Sequence, residues 1–174
     1  LVVVIAILAI MVGLIVVILP MDNTKIKEVA TTVEGALKET RTNALSRESA
    51  NMKLSYDTTD KEYDILISGK NPIHVGDSKI RVRVYYTLED GTTPANNYFD
   101  VDGSNDLIIS YNRASGAYLP IITAIAADKT MHYYTRDDGG SLKNCYCSKI
   151  EVTRGTKMKT IILVKDTGKA YLDD

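Results

Sequence analysis

The sequence predicts an α+β fold: a long N-terminal helix, apolar in its first half and amphipathic in its second, packed on a mostly antiparallel β-sheet domain. Three observations predict it. Leu1 to Leu19 hold only Leu, Val, Ile, Ala, Met and one Gly, and no charge precedes Asp22. From Ile26 to Leu45 apolar side chains recur every three or four residues, the period of a helix with one buried face. Beyond Asn51, short runs alternate apolar and polar residues between turn-forming clusters, the pattern of strands. The expected divisions are 1–21, an apolar helix; 22–50, an amphipathic continuation; and 51–174, a globular sheet domain large enough for a core.

At about 1.5 Å per residue the apolar run reaches roughly 30 Å, the thickness of a bilayer's hydrocarbon layer. It predicts a single-pass location in the cell membrane, with the C-terminal domain outside the cytoplasm. A cleaved secretory signal would follow a basic region and end in small residues. Val16-Val17-Ile18-Leu19-Pro20-Met21 offers none, so the run reads as retained. A core helix would show a polar stripe, and this run is apolar all round.

In the second half the stripe is Ile26, Val29, Ala30, Val33, Leu37, Thr40, Ala44 and Leu45. Glu34 precedes Lys38 by one turn, the favourable order for a helical ion pair. No strong breaker falls between Met21 and Ala50. The two halves together read as one helix of roughly 75 Å, loosened at Pro20, which lacks a backbone donor.

The strands follow. Met52, Leu54 and Tyr56 alternate with Lys53, Ser55 and Asp57, and after the turn Asp57-Thr58-Thr59-Asp60-Lys61 come Tyr63, Ile65 and Ile67. Ile80, Val82, Val84 and Tyr86 alternate with Arg81, Arg83 and Tyr85; Ile150 and Val152 alternate with Lys149, Glu151 and Thr153. Further runs are 107–111, 118–125, 131–134 and 158–164, separated by turns such as Glu89-Asp90-Gly91 and Asp166-Thr167-Gly168-Lys169.

Lys plus Arg number 21 against 22 for Asp plus Glu, a net charge of −1 that argues neither for nor against nucleic acid. With no Trp, one Phe and 11 Tyr, the aromatic surface is amphipathic and suited to contacts. Cys145 and Cys147 form a C-x-C that reads as two partly buried thiols or a strained local disulfide. Zinc would need two more ligands, and His74 and His132 come without a second cysteine pair.

The chemistry-bearing motifs are few. No HExxH, P-loop, G-x-S-x-G or Cys–His arrangement occurs, so the sequence points to no catalytic residue, no cofactor and no metal. Asp100-Val101-Asp102-Gly103-Ser104-Asn105-Asp106 gathers oxygens of the kind calcium takes, but lacks the EF-hand glutamate and reads as a polar hairpin turn. Lys79, Arg81, Arg83 and Tyr85 fall on one strand face, a basic stripe with an aromatic that is the one candidate contact for DNA. A solvated sheet face accounts for the same letters.

Leu1-Val2-Val3-Val4-Ile5-Ala6-Ile7-Leu8-Ala9-Ile10, running on to Leu19-Pro20, resembles the opening of type IV pilins and pseudopilins, "LLVVIAILGIL…LP". Ala36-Leu37-Lys38-Glu39-Thr40-Arg41-Thr42-Asn43-Ala44-Leu45-Ser46-Arg47, and a final strand before Thr167-Gly168-Lys169, are similar to the GspH/FimT-type minor pilins, whose helix often ends "aR..Ai.r" and whose last strand is often followed by "TGr". In the family the opening stretch follows a prepilin-peptidase site and a glutamate placed immediately before the residue matching Leu1.

The resemblance implies the pilin fold and a structural role. The chain would be a minor pilin or pseudopilin, inserted in the membrane by its N-terminal helix. Helix packing would assemble it into a type IV pilus, competence pilus or type II secretion pseudopilus, an extracellular or periplasmic filament. Its implied partners are other pilin subunits, the inner or cytoplasmic membrane before assembly, and a prepilin peptidase. The packing residues would be Leu1, Val4, Ile5, Leu8, Ala9, Val12, Gly13, Val16, Leu19 and Pro20, with Ala6, Ala9 and Gly13 allowing close approach. The alternative is a membrane-tethered extracellular module that binds DNA or another ligand at a filament tip.

Overall fold

A computed structural model describes residues 23–46, 50–125, 131–137 and 141–173 in full, and the backbone alone over 2–22 and at Asp138. Helix α1 is Val2–Leu45. The strands are β1 (Asn51–Asp57), β2 (Glu62–Ile67), β3 (Ile73–Val75), β4 (Ile80–Leu88), β5 (Tyr98–Asp100), β6 (Leu107–Ser110), β7 (Ile122–Ile125), β8 (Met131–Tyr133), β9 (Thr135–Asp138), β10 (Ser141–Arg154), β11 (Lys157–Val164) and β12 (Lys169–Asp173). They form two sheets, in the orders β3-β2-β1-β6-β7-β8 and β12-β11-β10-β4-β5, with β9 paired to the start of β10. The strand pairs are antiparallel.

The amphipathic stripe explains how the layers close. Ile26, Val29, Ala30, Val33, Ala36, Leu37, Thr40 and Ala44 are buried, and α1 lies along β10, β11 and β12 while reaching β1, β2 and β6. Against them stand Met52, Leu54, Ile65 and Ile67 from the first sheet and Ile80, Val82, Val84, Ile150, Val152, Ile161 and Leu163 from the second. The core thus lies where the helix and both sheets meet. Burying a Leu or Ile side chain stabilises by about 1.5–3 kcal/mol, so the stripe holds the helix down. The expected Glu34–Lys38 pair forms at 2.8 Å. Glu34 also accepts the backbone N–H of Leu172 at 3.3 Å, giving a partner to a donor of the edge strand β12 that would otherwise invite another strand.

Strand β10 carries an irregularity that the sequence pattern conceals. Cys147 pairs with Tyr86 and Lys149 with Tyr85, so Ser148 is an extra residue, a β-bulge. A regular strand would turn odd and even residues to opposite faces. With Ser148 inserted, Cys145 and Cys147 before it and Ile150 and Val152 after it all face the core and are buried.

Several expectations change. The α+β fold with a long N-terminal helix packed on a sheet, the pilin fold, is corrected. The helical stretch whose packing is described, 23–45, is short, about 16% helix against 51% strand, and among the described residues no long apolar helix occurs. Strand content exceeds the sequence reading because 141–148 and 169–173 lack the apolar–polar alternation that marks β1, β2 and β4, yet both pair in register. Single-pass membrane location is corrected too, since no helix of the described residues is long and apolar enough to cross a membrane. The run 118–125 contributes only Ile122–Ile125 as strand, with Pro120, which cannot donate to a ladder, just before it.

Candidate functional site

The expected packing residues Leu1, Val4, Ile5, Leu8, Ala9, Val12, Gly13, Val16, Leu19 and Pro20 lie outside the residues whose side chains are described. The basic stripe lies within them. Arg81, Arg83 and Tyr85 share the outer face of β4, whereas Lys79 sits in the turn before it. Register aligns two rows across that face: Tyr98, Tyr85, Lys149, Ile162 and Tyr171, and beside them Asp100, Arg83, Glu151, Thr160 and Asp173.

The cations in these rows have partners. Arg83 donates from Nε and Nη2 to the two carboxylate oxygens of Asp100 at 2.7 and 3.2 Å, and its guanidinium lies 4.2 Å from the Tyr98 ring centre. That fork raises the Arg83 pKa and lowers that of Asp100, so both stay charged. Lys149 donates to Glu151 at 2.7 Å and lies 4.1 Å from the Tyr85 ring centre. The ring faces that stacking on a base would need are covered by the protein's own cations. Lys79 and Arg81 remain exposed, and as a DNA contact the stripe reduces to them.

The acidic loop is internally engaged. Asp100 takes Arg83, Asp106 takes Lys53 at 2.8 Å, and Asp102 accepts the backbone N–H groups of Ser104 and Asn105 at 3.1 and 3.2 Å. Its letters form a turn held by an aspartate side chain. Among the described residues no group of three or more His, Cys, Asp or Glu is placed to hold a metal. His74 bonds Asp64 at 2.7 Å on an exposed face. Both cysteines are free thiols and buried; burial pushes Cys145 up to about 11 and Cys147 higher still. They behave as core residues rather than nucleophiles.

The feature with the most built-in geometry is at the end of the helix. Arg41 stands one turn after Leu37, where the stripe calls for an apolar residue. Its Nε donates to the carbonyl of Gly116 at 3.2 Å and to that of Thr167 at 3.1 Å. Gly168 has φ of +63°, and a Cβ there would lie 1.7 Å from the Gly116 oxygen. The two loops therefore touch backbone to backbone under the guanidinium. Tyr111 adds a second tie, its buried hydroxyl donating to the Leu37 carbonyl at 2.8 Å.

This clamp joins the two segments that carried the subfamily resemblance, the helix end around Arg41 and Thr167-Gly168-Lys169. Tyr111 reads only as the end of the run 107–111 and Gly116 carries no signal, because nothing local to 111–118 marks it as the partner of a turn some fifty residues later. Arg41 inside an apolar stripe was the available signal. No protein-family model, curated protein or solved structure matches the chain.

Proposed function

We propose that this chain is a structural subunit of a filament, a minor pilin or pseudopilin, and works by assembly rather than by catalysis. One observation carries the reading. The Arg41 segment and the Thr167-Gly168 turn, which are far apart in sequence and resemble the two ends of a minor-pilin domain, meet in one clamp. A subunit held in a filament by its helix must transmit load from that helix to the shell of sheets. Arg41 and Tyr111 tie the helix to both loops at the point where such load would peel it away.

The test is filament entry. The full chain, carrying an epitope tag in an exposed turn, is expressed in cells with a pilus or pseudopilus machine, and sheared filaments are probed for it. The expected result is tagged chain in the filament fraction, dependent on the prepilin peptidase and reduced by Arg41→Ala. Absence from that fraction, with the chain present and folded in the cells, overturns the reading.

A further inference from the structure

Where β4 begins and β5 ends, the two sheets border a cavity of about 280 Å³. The first sheet contributes Tyr56 of β1 and Tyr63 of β2, whose ring centres are 5.0 Å apart; the second contributes Ile80 and Arg81 of β4 and the run from Asp100 to Asp102. Tyr63, Ile80 and Val101 are buried and make the inner wall, while Tyr56 is half-buried and Arg81 and Asp102 are exposed at the mouth.

The polar groups of this cavity differ in what they have left to bond. Asp100 is engaged at both oxygens by the fork from Arg83. Asp102 accepts the N–H groups of Ser104 and Asn105 and the Asn105 amide with Oδ1 alone. Its Oδ2, the Arg81 guanidinium and the Tyr56 hydroxyl make no hydrogen bond among the described residues. Two contacts hold the mouth in shape. The Arg81 carbonyl accepts the Thr153 hydroxyl at 3.3 Å. Gly103 has φ of +84°, and a Cβ there would lie 2.8 Å from the Thr58 methyl and 3.3 Å from the Tyr56 carbonyl oxygen, so the Asp102 loop sits directly on the β1–β2 turn.

This mixture of charge selects against simple ions. A phosphate offers acceptors only and would face Asp100 and Asp102; a plain cation would face Arg81. A hydroxyl both donates and accepts, so two neighbouring hydroxyls satisfy Oδ2 and the guanidinium together. A sugar ring carries such hydroxyls around its edge and an apolar C–H face for the tyrosine wall. The volume falls just below the roughly 300–1,000 Å³ of sites for drug-sized ligands, room for one ring. We propose that this cavity binds one neutral sugar ring, its C–H face on Tyr56, with adjacent hydroxyls donating to Asp102 Oδ2 and accepting from Arg81. The proposal gives Arg81 a ligand other than DNA and does not depend on the filament reading.

Saturation-transfer NMR on the full chain, held in a polyoxyethylene detergent that carries no sugar, tests it. The probes are glucose, galactose, mannose and N-acetylglucosamine, each as the free sugar and as its methyl glycoside, with free alanine as a zwitterion. Saturation is expected to reach the ring C–H protons of at least one sugar, equally from about 0.05 to about 0.5 M salt, because a neutral ligand releases no counterions. Arg81→Gln and Asp102→Asn sit at exposed positions and should keep native melting curves. Each is expected to weaken binding about tenfold, the loss of one charge-assisted hydrogen bond. Tyr56→Leu should abolish it, and if that variant fails to fold the two rim variants carry the test. Methyl glycosides that bind as well as free sugars assign the end of a glycan, and loss on methylation assigns a free sugar; either supports the site. Absence of transfer to every sugar overturns the proposal. So does transfer unchanged in both rim variants, or transfer to alanine in place of a sugar.

Discussion

Two glycines with similar backbones separate conformation from contact. Gly155 and Gly168 both have positive φ, +59° and +63°; a Cβ at Gly155 meets open space, while one at Gly168 would overlap the Gly116 carbonyl. Alanine in the left-handed region costs about 1 kcal/mol. Gly155→Ala is expected to cost that much and no more. Gly168→Ala must also push two loops apart and draw the Gly116 and Thr167 carbonyls away from Arg41, so a loss of about 3 kcal/mol or more is expected. Urea unfolding of the two variants measures both, and equal losses would contradict the close approach. A turn at Asp166-Thr167-Gly168-Lys169 was legible from its letters. The reason only glycine fits at 168 was not, because it lies in Gly116.

At the scale of elements, β10 shows where period-two reading stops working. Lys149 to Thr153 alternate cleanly and were legible as strand, and Cys145 and Cys147 were legible as sharing a face. The join between them was not: Ser148 is one polar residue among several, and only pairing against β4 reveals it as extra. The division into two sheets escaped for a similar reason, since β1 pairs with both its neighbour β2 and the distant β6, a choice made by tertiary packing. The helix stripe, a long local signal, was read almost residue for residue. Deleting Ser148 is therefore expected to turn either the cysteines or Ile150 and Val152 out of the core. Each exposed side chain costs about 1.5–3 kcal/mol, so the pair removes a large part of a typical domain stability of about 5–15 kcal/mol. Ser148→Ala keeps the count and should stay within about 0.5 kcal/mol of native. Thiol labelling with urea unfolding reports the outcome: unreactive cysteines and native stability in native and Ser148→Ala chains, and in the deletion either reactive cysteines or protected ones with the stability loss of exposed Ile150 and Val152. Protected thiols together with native stability in the deletion would mean that the bulge does not set the register.

Across the whole molecule, buried phenols join the layers alongside ion pairs such as Lys25–Asp77 and Glu39–Lys70. Tyr63 of β2 is buried; its hydroxyl donates to the Ile80 carbonyl at 3.3 Å and accepts the Val82 N–H at 3.1 Å, linking the first sheet to the second. Tyr111 links its loop to the helix in the same manner. Burial raises both phenols, Tyr63 to about 12 and Tyr111 further, because a phenolate there would lose its hydration. An unfolded tyrosine ionises near 10, so below about pH 10 neither state is charged and their full contribution is present. As pH rises through that value the unfolded chain ionises first, and Tyr63 alone withdraws about 1.4 kcal/mol per pH unit until its own folded pKa is passed. The phenols' share of stability is thus expected to be flat on the acid side of about pH 10 and to fall above it. The buried Cys145 and Cys147 add a loss that begins near the unfolded thiol's pKa of about 8.5, and Asp100, lowered by Arg83, adds one at acid pH. Tyr63→Phe tests the assignment. It should cost about 1–3 kcal/mol at neutral pH, by orphaning the Val82 N–H and the Ile80 carbonyl, and it should make the alkaline limb shallower, leaving the part that Tyr86, Tyr111 and Tyr118 carry. Melting curves taken through that range distinguish Tyr63→Phe from the native chain, and an unchanged slope in Tyr63→Phe would show that the sheets are not joined through this hydroxyl.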